Sequence, residues 1–167
     1  MQYAEDGEKH IADIKTPDGF VIEFQHSSIK AEEKLAREQF YKNMVWVVDG
    51  KRTKNDYPRF EKNYDEGSWY NWPEKRYRSV RNPEWTLPKA WLNRTVPVIF
   101  DWQVTVWPDE WIDGDLVPPK ESDLLCLMPQ SKREDFEYAH VAQCFTLKKD
   151  NFLKMITEHQ HLQIPHR

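Results

Sequence analysis

Cysteine is scarce in this 167-residue chain, long apolar stretches are missing, and neither sign of charge dominates. Only Cys126 and Cys144 occur, with no CxxC pair and no Cys/His spacing of a structural zinc site, a usage that fits a reducing compartment. No run of about eighteen apolar residues exists, so no membrane span is expected. The opening MQYAEDGEKH lacks the basic region and apolar stretch of a secretory leader. The expected location is therefore the cytoplasm, with no membrane partner. A formal net charge of -4 excludes a chain that is basic throughout, as many non-specific nucleic-acid binders are, yet leaves local basic patches open. No internal repeat is apparent, which argues against a solenoid.

What the chain has instead is aromatic. Eight tryptophans, seven tyrosines and eight phenylalanines must supply much of the core, because each ring removes a large apolar area from water. The length suits one domain spanning residues 1–167, enough for a sizeable core but short for two complete ones.

The stretch HIADIKTPDGFVIEFQHSSI, residues 10–29, predicts a β-hairpin. Two β-rich runs flank Thr16, Pro17, Asp18 and Gly19. Pro17 pre-sets the backbone for a type I turn and Gly19 can take a positive φ at no steric cost, which together give a three-residue loop closed by a glycine bulge. If Thr16 pairs with Phe20, counting outward sets Lys15 opposite Val21, Ile14 opposite Ile22, and Asp13 opposite Glu23. Alternation then gathers Ala12, Ile14, Ile22 and Phe24 on one face, expected to pack in the core, and Asp13, Lys15, Glu23 and Gln25 on the other. A two-residue turn would instead shift Asp13 off Glu23.

Like charges directly opposite on a sheet destabilise it by up to roughly 1 kcal/mol. A divalent cation would relieve the conflict, since Mg²⁺ binds through one or two carboxylates and fills its remaining positions with water and substrate phosphate. A raised pKa that leaves one acid neutral, or exposure to water, would also do so.

SSIKAEEKLAREQFYKNM follows, with Ala31, Leu35, Ala36, Phe40 and Met44 at helical spacing and Glu32 and Glu33 placed to favour the positive end of a helix dipole. Ser28 is the obvious capping oxygen, although Ile29 and Lys30 can also precede the helix. MVWVVDG then reads as a short strand buried on both faces. The order is β-β-α-β, and a strand, a crossover helix and a further strand in one sheet define a mixed α/β (α+β) architecture.

Residues 10–50 resemble the nuclease core of the CoiA-like competence proteins, members of the PD-(D/E)XK group. The resemblance rests on Asp13 in the first strand, Glu23, Phe24, Gln25, His26 and Ser27 in the second, Arg37, Glu38 and Tyr41 in the helix, and Val45, Trp46, Val47 and Val48 after it. It implies a restriction-endonuclease-like mixed β-sheet flanked by helices. It also implies a metal-dependent nuclease that hydrolyses phosphodiester bonds in DNA, linked to competence or the processing of incoming DNA. Asp13 and Glu23 would hold Mg²⁺ or Mn²⁺ and, with Gln25, form the catalytic set.

Gln25 stands where most of the wider group has lysine. A neutral amide orients water only by hydrogen bonds, whereas lysine also stabilises developing charge. Lys15, on the same expected face, is a candidate for a displaced cation. His26 and Arg37 are supporting candidates: His26 for phosphate or a metal-ligated water, or as a satisfied structural imidazole; Arg37 for phosphate, or as the partner of Glu33 four residues earlier. The fold normally opens with a helix that often adds an acidic residue. Here Glu5 and Glu8 lie in a short polar stretch before His10, so a missing N-terminal region or a protein partner is an open expectation. The competing expectation is a catalytically inactive nuclease-fold module that binds nucleic acid or a recombination partner, favoured by Gln25. A purely structural domain with a tryptophan-lined protein-binding surface is a third.

From residue 51 to 95 the composition turns basic, aromatic and proline-rich, and predicts an irregular insertion. Its cations suit phosphates and its rings suit bases, although large rings more often anchor a segment onto its own fold. Residues 96–158 predict C-terminal strands and a helix. VPVIFDWQVTVW reads as a long strand carrying Asp101, PDEWIDGDLVPPK as an acidic loop, LLCLM and HVAQCF as short strands, and residues 148–158 as a helix that covers the sheet. The tail, residues 159–167, carries His159, His161 and His166, which terminal position makes solvated histidines rather than ligands.

Overall fold

The computed structural model describes residues 2–3, 9–63, 68–72, 75–103, 110–112, 115–117, 123–129 and 141–158. Strands β1 (Gln2–Tyr3) and β2 (Lys9–His10) pair antiparallel. The hairpin follows as β3 (Ile14–Lys15) and β4 (Val21–Gln25), then α1 (Ala31–Tyr41), β5 (Met44–Asp49) and α2 (Asp56–Asn63). Strands β6 (Ser68–Trp72) and β7 (Lys75–Arg81) come next, then α3 (Pro83–Thr86) and a 3-10 turn at Lys89–Trp91. The chain continues through β8 (Val98–Asp101), β9 (Glu110–Ile112), β10 (Asp115–Val117), β11 (Asp123–Leu127), β12 (Val141–Lys148) and α4 (Lys149–Thr157).

Among the described residues these strands form one eight-stranded sheet, ordered β3-β4-β5-β8-β11-β12-β7-β6, and two separate pairs, β1-β2 and β9-β10. The architecture is therefore mixed α/β. Strands β4, β5 and β8 run parallel, as the α1 crossover requires, and every other pairing in the large sheet is antiparallel.

The segment between β5 and β8 is not the irregular insertion that its composition suggests. It contributes α2 and α3, and its β6-β7 hairpin travels to the far edge of the sheet, where β7 pairs with β12. Proline and charge were poor guides there, because β7 takes its register from a strand sixty or more residues downstream. The expected long strand after residue 96 is shorter within the described residues, ending at Asp101, and part of the expected acidic loop is the antiparallel pair β9-β10.

Alternation along the central strands divides the core in two. Val21, Met44, Trp46, Val48, Val98, Phe100, Leu125, Leu127 and Cys144 face one side, where Phe60 of α2, Leu87, Trp91 and Trp102 complete the layer. Ile22, Val45, Ile99, Cys126 and Phe145 face the other, covered by Phe152 of α4. The result is a sheet between two helical layers.

Trp102 is fully buried, stacked on Phe60 at 4.9 Å and on Phe100 at 5.2 Å. Gly50 lies beneath the ring, and its N–H donates to the Asp101 carbonyl at 2.9 Å, which closes the end of the β5-β8 ladder. A methyl group at this glycine would overlap the indole. Gly50→Ala should therefore lower stability by about 1–3 kcal/mol, the usual cost of overpacking, read as a reduced urea midpoint. An unchanged midpoint would mean that the Trp102 ring does not sit against Gly50 in solution.

Candidate functional site

The hairpin turn closes as its residues dictate. Thr16 N–H donates to the Phe20 carbonyl at 2.9 Å, Gly19 N–H to the Thr16 carbonyl at 2.9 Å, and Gly19 takes φ 87°. The Thr16 hydroxyl reinforces the closure by accepting from Phe20 N–H at 3.0 Å and by bonding to the Asp18 carboxylate. Register follows: Lys15 is opposite Val21 and Ile14 opposite Ile22.

One step further the ladder changes. Asp13 lies at a bend outside β3, and its Oδ2 accepts the Phe24 N–H at 2.8 Å, in place of a strand carbonyl. That bend breaks the alternation. Ala12 therefore packs toward the Val21 side of the sheet, while Ile14 and Phe24 stay 37% and 50% exposed, and of the expected apolar face only Ile22 is buried in the core.

The face carrying Glu23 is covered by α1. Glu23 is only 2% exposed, and its Oε2 accepts from Arg37 Nη1 at 2.7 Å. Arg37 Nη2 reaches Glu33 at 3.1 Å, so the arginine pairs with both acids. Glu23 Oε1 is buried without a hydrogen-bond partner among the described residues, and so is Arg37 Nε. Burial raises the Glu23 carboxyl above its ordinary value; Arg37 works against the rise, and the neighbouring Asp13 charge adds to it.

Tyr41 belongs to the same group. Its phenol is raised above the usual range, first by burial, then by the Glu23 charge, with Arg37 opposing and Asp13 adding. Tyr41 sits four residues after Arg37, one helical turn on, so spacing alone could have nominated it.

The remaining expected residues are placed elsewhere. The Gln25 amide donates to the Ser27 carbonyl at 2.8 Å and the Ser27 hydroxyl at 3.3 Å, and so serves its own loop rather than the acids. Lys15 is exposed on the edge strand. His26 leaves the acid pair for Asp49: its Nδ1 is 2.7 Å from Asp49 Oδ2, with the imidazole 86% exposed. Asp49 Oδ1 accepts from Lys51 N–H and from Gln103 Nε2, each at 3.0 Å. Asp101 accepts from Lys149 at 2.9 Å, an ion pair at the same end of the parallel strands. Glu5, Glu8 and the tail histidines lie outside the described residues.

Two carboxylates, Glu23 buried under α1 and Asp13 exposed at the hairpin bend, thus lie near enough for their charges to interact. Among the described residues no group of three or more His, Cys, Asp or Glu forms a metal cage. Such an acid pair suits a cation that keeps water and phosphate in its other positions rather than an all-protein site. Among the described residues no helix is long and apolar enough to cross a membrane. Comparison with protein-family models, with curated proteins and with solved structures found no match for this chain.

The electrostatics carry a sign that can be tested. A carboxyl raised in the folded state holds its proton more tightly there, so its contribution to stability is fully present below the unfolded value, about 4.5, and is lost as pH rises through the folded one. Glu23→Gln cannot ionise. Without divalent cations, the Tm of the wild type relative to Glu23→Gln should fall as the pH rises from about 4 to about 7. A difference that grows in favour of the wild type would mean that the Arg37 pair outweighs burial.

Proposed function

We propose that the chain is a Mg²⁺- or Mn²⁺-dependent nuclease of the PD-(D/E)XK type that hydrolyses phosphodiester bonds in DNA, as its resemblance to the CoiA-like proteins implies. The observation that carries this reading is Glu23 Oε1, a buried carboxylate oxygen with no hydrogen-bond donor among the described residues, beside a second acid. Buried polar atoms are usually hydrogen-bonded, and a carboxylate oxygen that is not calls for a partner such as a bound ion or water. The strand order β3-β4-β5-β8, with an antiparallel hairpin leading into parallel strands through α1, also supports a restriction-endonuclease-like core.

Bound between Asp13 and Glu23, the cation would supply charge neutralisation on the scissile phosphate and a more acidic attacking water. The chain's own residues do the rest. Arg37 holds Glu23 Oε2 and so presents Oε1 to the site, and the Phe24 N–H fixes Asp13 through Oδ2. The Arg37 guanidinium offsets the negative charge that gathers as phosphate approaches two acids. A second reading, a module that binds DNA without cutting it, is favoured by Gln25, whose amide is neutral and committed to Ser27.

Purified protein, beside Glu23→Ala and Asp13→Ala, should be incubated with single-stranded and duplex DNA in Mg²⁺ or Mn²⁺. The wild type is expected to cleave, with each variant slowed by at least about 100-fold, since several kcal/mol of charge stabilisation are lost. Equal cleavage by wild type and variants would put the active groups elsewhere. DNA binding with no cleavage by any of them would overturn the nuclease reading in favour of the binding module.

A further inference from the structure

We infer that the exposed loop of residues 51–55, beside His26, carries the phosphate backbone of a DNA strand away from the acid pair. The inference rests on the reading of Asp13 and Glu23 as the reacting centre, and adds the surface that binds the substrate.

The first ground is position. Strands β4 and β5 run parallel with Gln25 opposite Val48, so their carboxyl ends lie side by side. The contact between His26 and Asp49 joins those ends. Ligands in open α/β sheets gather at this end of the strands, where chain segments leave the ladder. The loop starts from a fixed seat: Asp49 Oδ1 holds the Lys51 N–H and the Gln103 amide, and Gly50 N–H is tied to Asp101.

The second ground is charge. Lys51, Arg52 and Lys54 place three cations within four residues of a chain whose net charge is -4. All three are exposed, and none has an ion-pair partner among the described residues. Lys34, Arg37, Arg59 and Lys149, by contrast, are each paired with a carboxylate. The two acids that flank the loop are both engaged: Asp49 holds His26, Gln103 and the loop's own N–H, and Asp56, two residues after Lys54, pairs with Arg59 at 3.0 Å. Like-charged side chains left together without counter-ions repel one another, and a polyanion removes that cost while releasing its own condensed ions.

The third ground is reach. Glu23 and His26 are three residues apart, about 10 Å at roughly 3.3 Å per residue. That equals about three nucleotides of stacked strand at roughly 3.4 Å each. A strand whose phosphate lies at the acid pair would therefore pass His26 within a few nucleotides and meet the loop next. Cations aligned along a backbone read charge rather than sequence, so the surface takes DNA without base preference.

The test uses the full chain in EDTA, where binding is read apart from cleavage. Fluorescence anisotropy of labelled single-stranded and duplex DNA over a salt series compares the wild type with Lys51→Ala/Arg52→Ala/Lys54→Ala. A second triple variant, Lys42→Ala/Lys89→Ala/Lys154→Ala, changes net charge equally at exposed sites away from the loop. The loop variant should keep the wild-type Tm, bind at least about tenfold more weakly, and lose about 2–3 from the slope of log affinity against log salt, while the control keeps most of both. Equal losses in the two variants, or an unchanged slope in the loop variant, would overturn the inference. So would a wild type with no salt-dependent DNA binding, which would leave the loop to an acidic protein partner. Failure of cleavage in Mg²⁺ with the loop-dependent slope intact would remove the nuclease reading and leave the loop surface standing.

Discussion

The orientation of α1, and with it the geometry of the acid pair, depends on the buried carboxylate of Glu38. Its Oε1 accepts from the Trp46 indole at 3.1 Å and from Lys34 at 3.3 Å, and its Oε2 accepts from the Thr95 N–H and hydroxyl at 2.9 and 2.7 Å. One side chain therefore joins the helix to β5 and to the segment that leads into β8. Lys34 adds a bond to the Asn93 carbonyl and lies 5.8 Å from the centre of the Trp91 ring. A buried charge is tolerated only when paired and fully bonded, and here the donors are supplied from three separate parts of the chain. Arg37 is the residue before Glu38, so the helical rotation that sends Glu38 toward Trp46 also brings Arg37 over Glu23.

A similar saturation surrounds Arg94. This buried guanidinium donates to the carbonyls of Met128, Leu92 and Trp91, and burial lowers its pKa to about 10. The two networks flank the same short segment, residues 91–95, and hold it against both α1 and the end of β11. Glu23 differs from both: it is buried as deeply, yet one of its oxygens has no donor among the described residues. Glu38 is satisfied at both oxygens and Glu23 at one; Arg37 Nε, Arg59 Nε and Trp102 Nε1 are also buried without a hydrogen-bond partner among the described residues, but Glu23 Oε1 is the one carboxylate oxygen of that group.

The hairpin was legible in the sequence because its determinants are local. Thr16, Pro17, Asp18 and Gly19 specify the turn, the turn specifies the register, and the register sets Ile14 against Ile22. Strand β5, α1, β11, β12 and α4 were legible for the same reason, through period and composition. The phase of α1 was not. Apolar spacing put Leu35 toward the core, but Leu35 is exposed, and the helix buries Lys34 and Glu38 instead. Periodicity counts a lysine as outward-facing, and nothing local shows that a distant Trp46, Asn93 and Thr95 will satisfy it. The β6-β7 hairpin was hidden by the same non-locality, since its place in the sheet is decided by β12. Of the candidate site, the adjacency of Asp13 and Glu23 was readable from the turn. The burial of Glu23 under Arg37 was not, because it depends on the helical phase that the pattern misassigned.

That misassignment bears on how the site would manage charge under the proposed function. With glutamine at position 25, β4 offers no cation beside Glu23, and Gln25 is turned into its own loop. The positive charge arrives from the helix instead, as Arg37 at 2.7 Å from Glu23. The exchange is not neutral. Lysine is a point charge whose pKa shifts readily on burial, whereas arginine stays protonated and donates in a fixed planar fork. An arginine in this place steadies carboxylate and phosphate charge but cannot take a proton from water. Proton removal would then fall to a group other than Arg37, while burial raises the Glu23 carboxyl above its ordinary value. Arg37 would set how basic it becomes, because the guanidinium that holds Oε2 in place also opposes the rise.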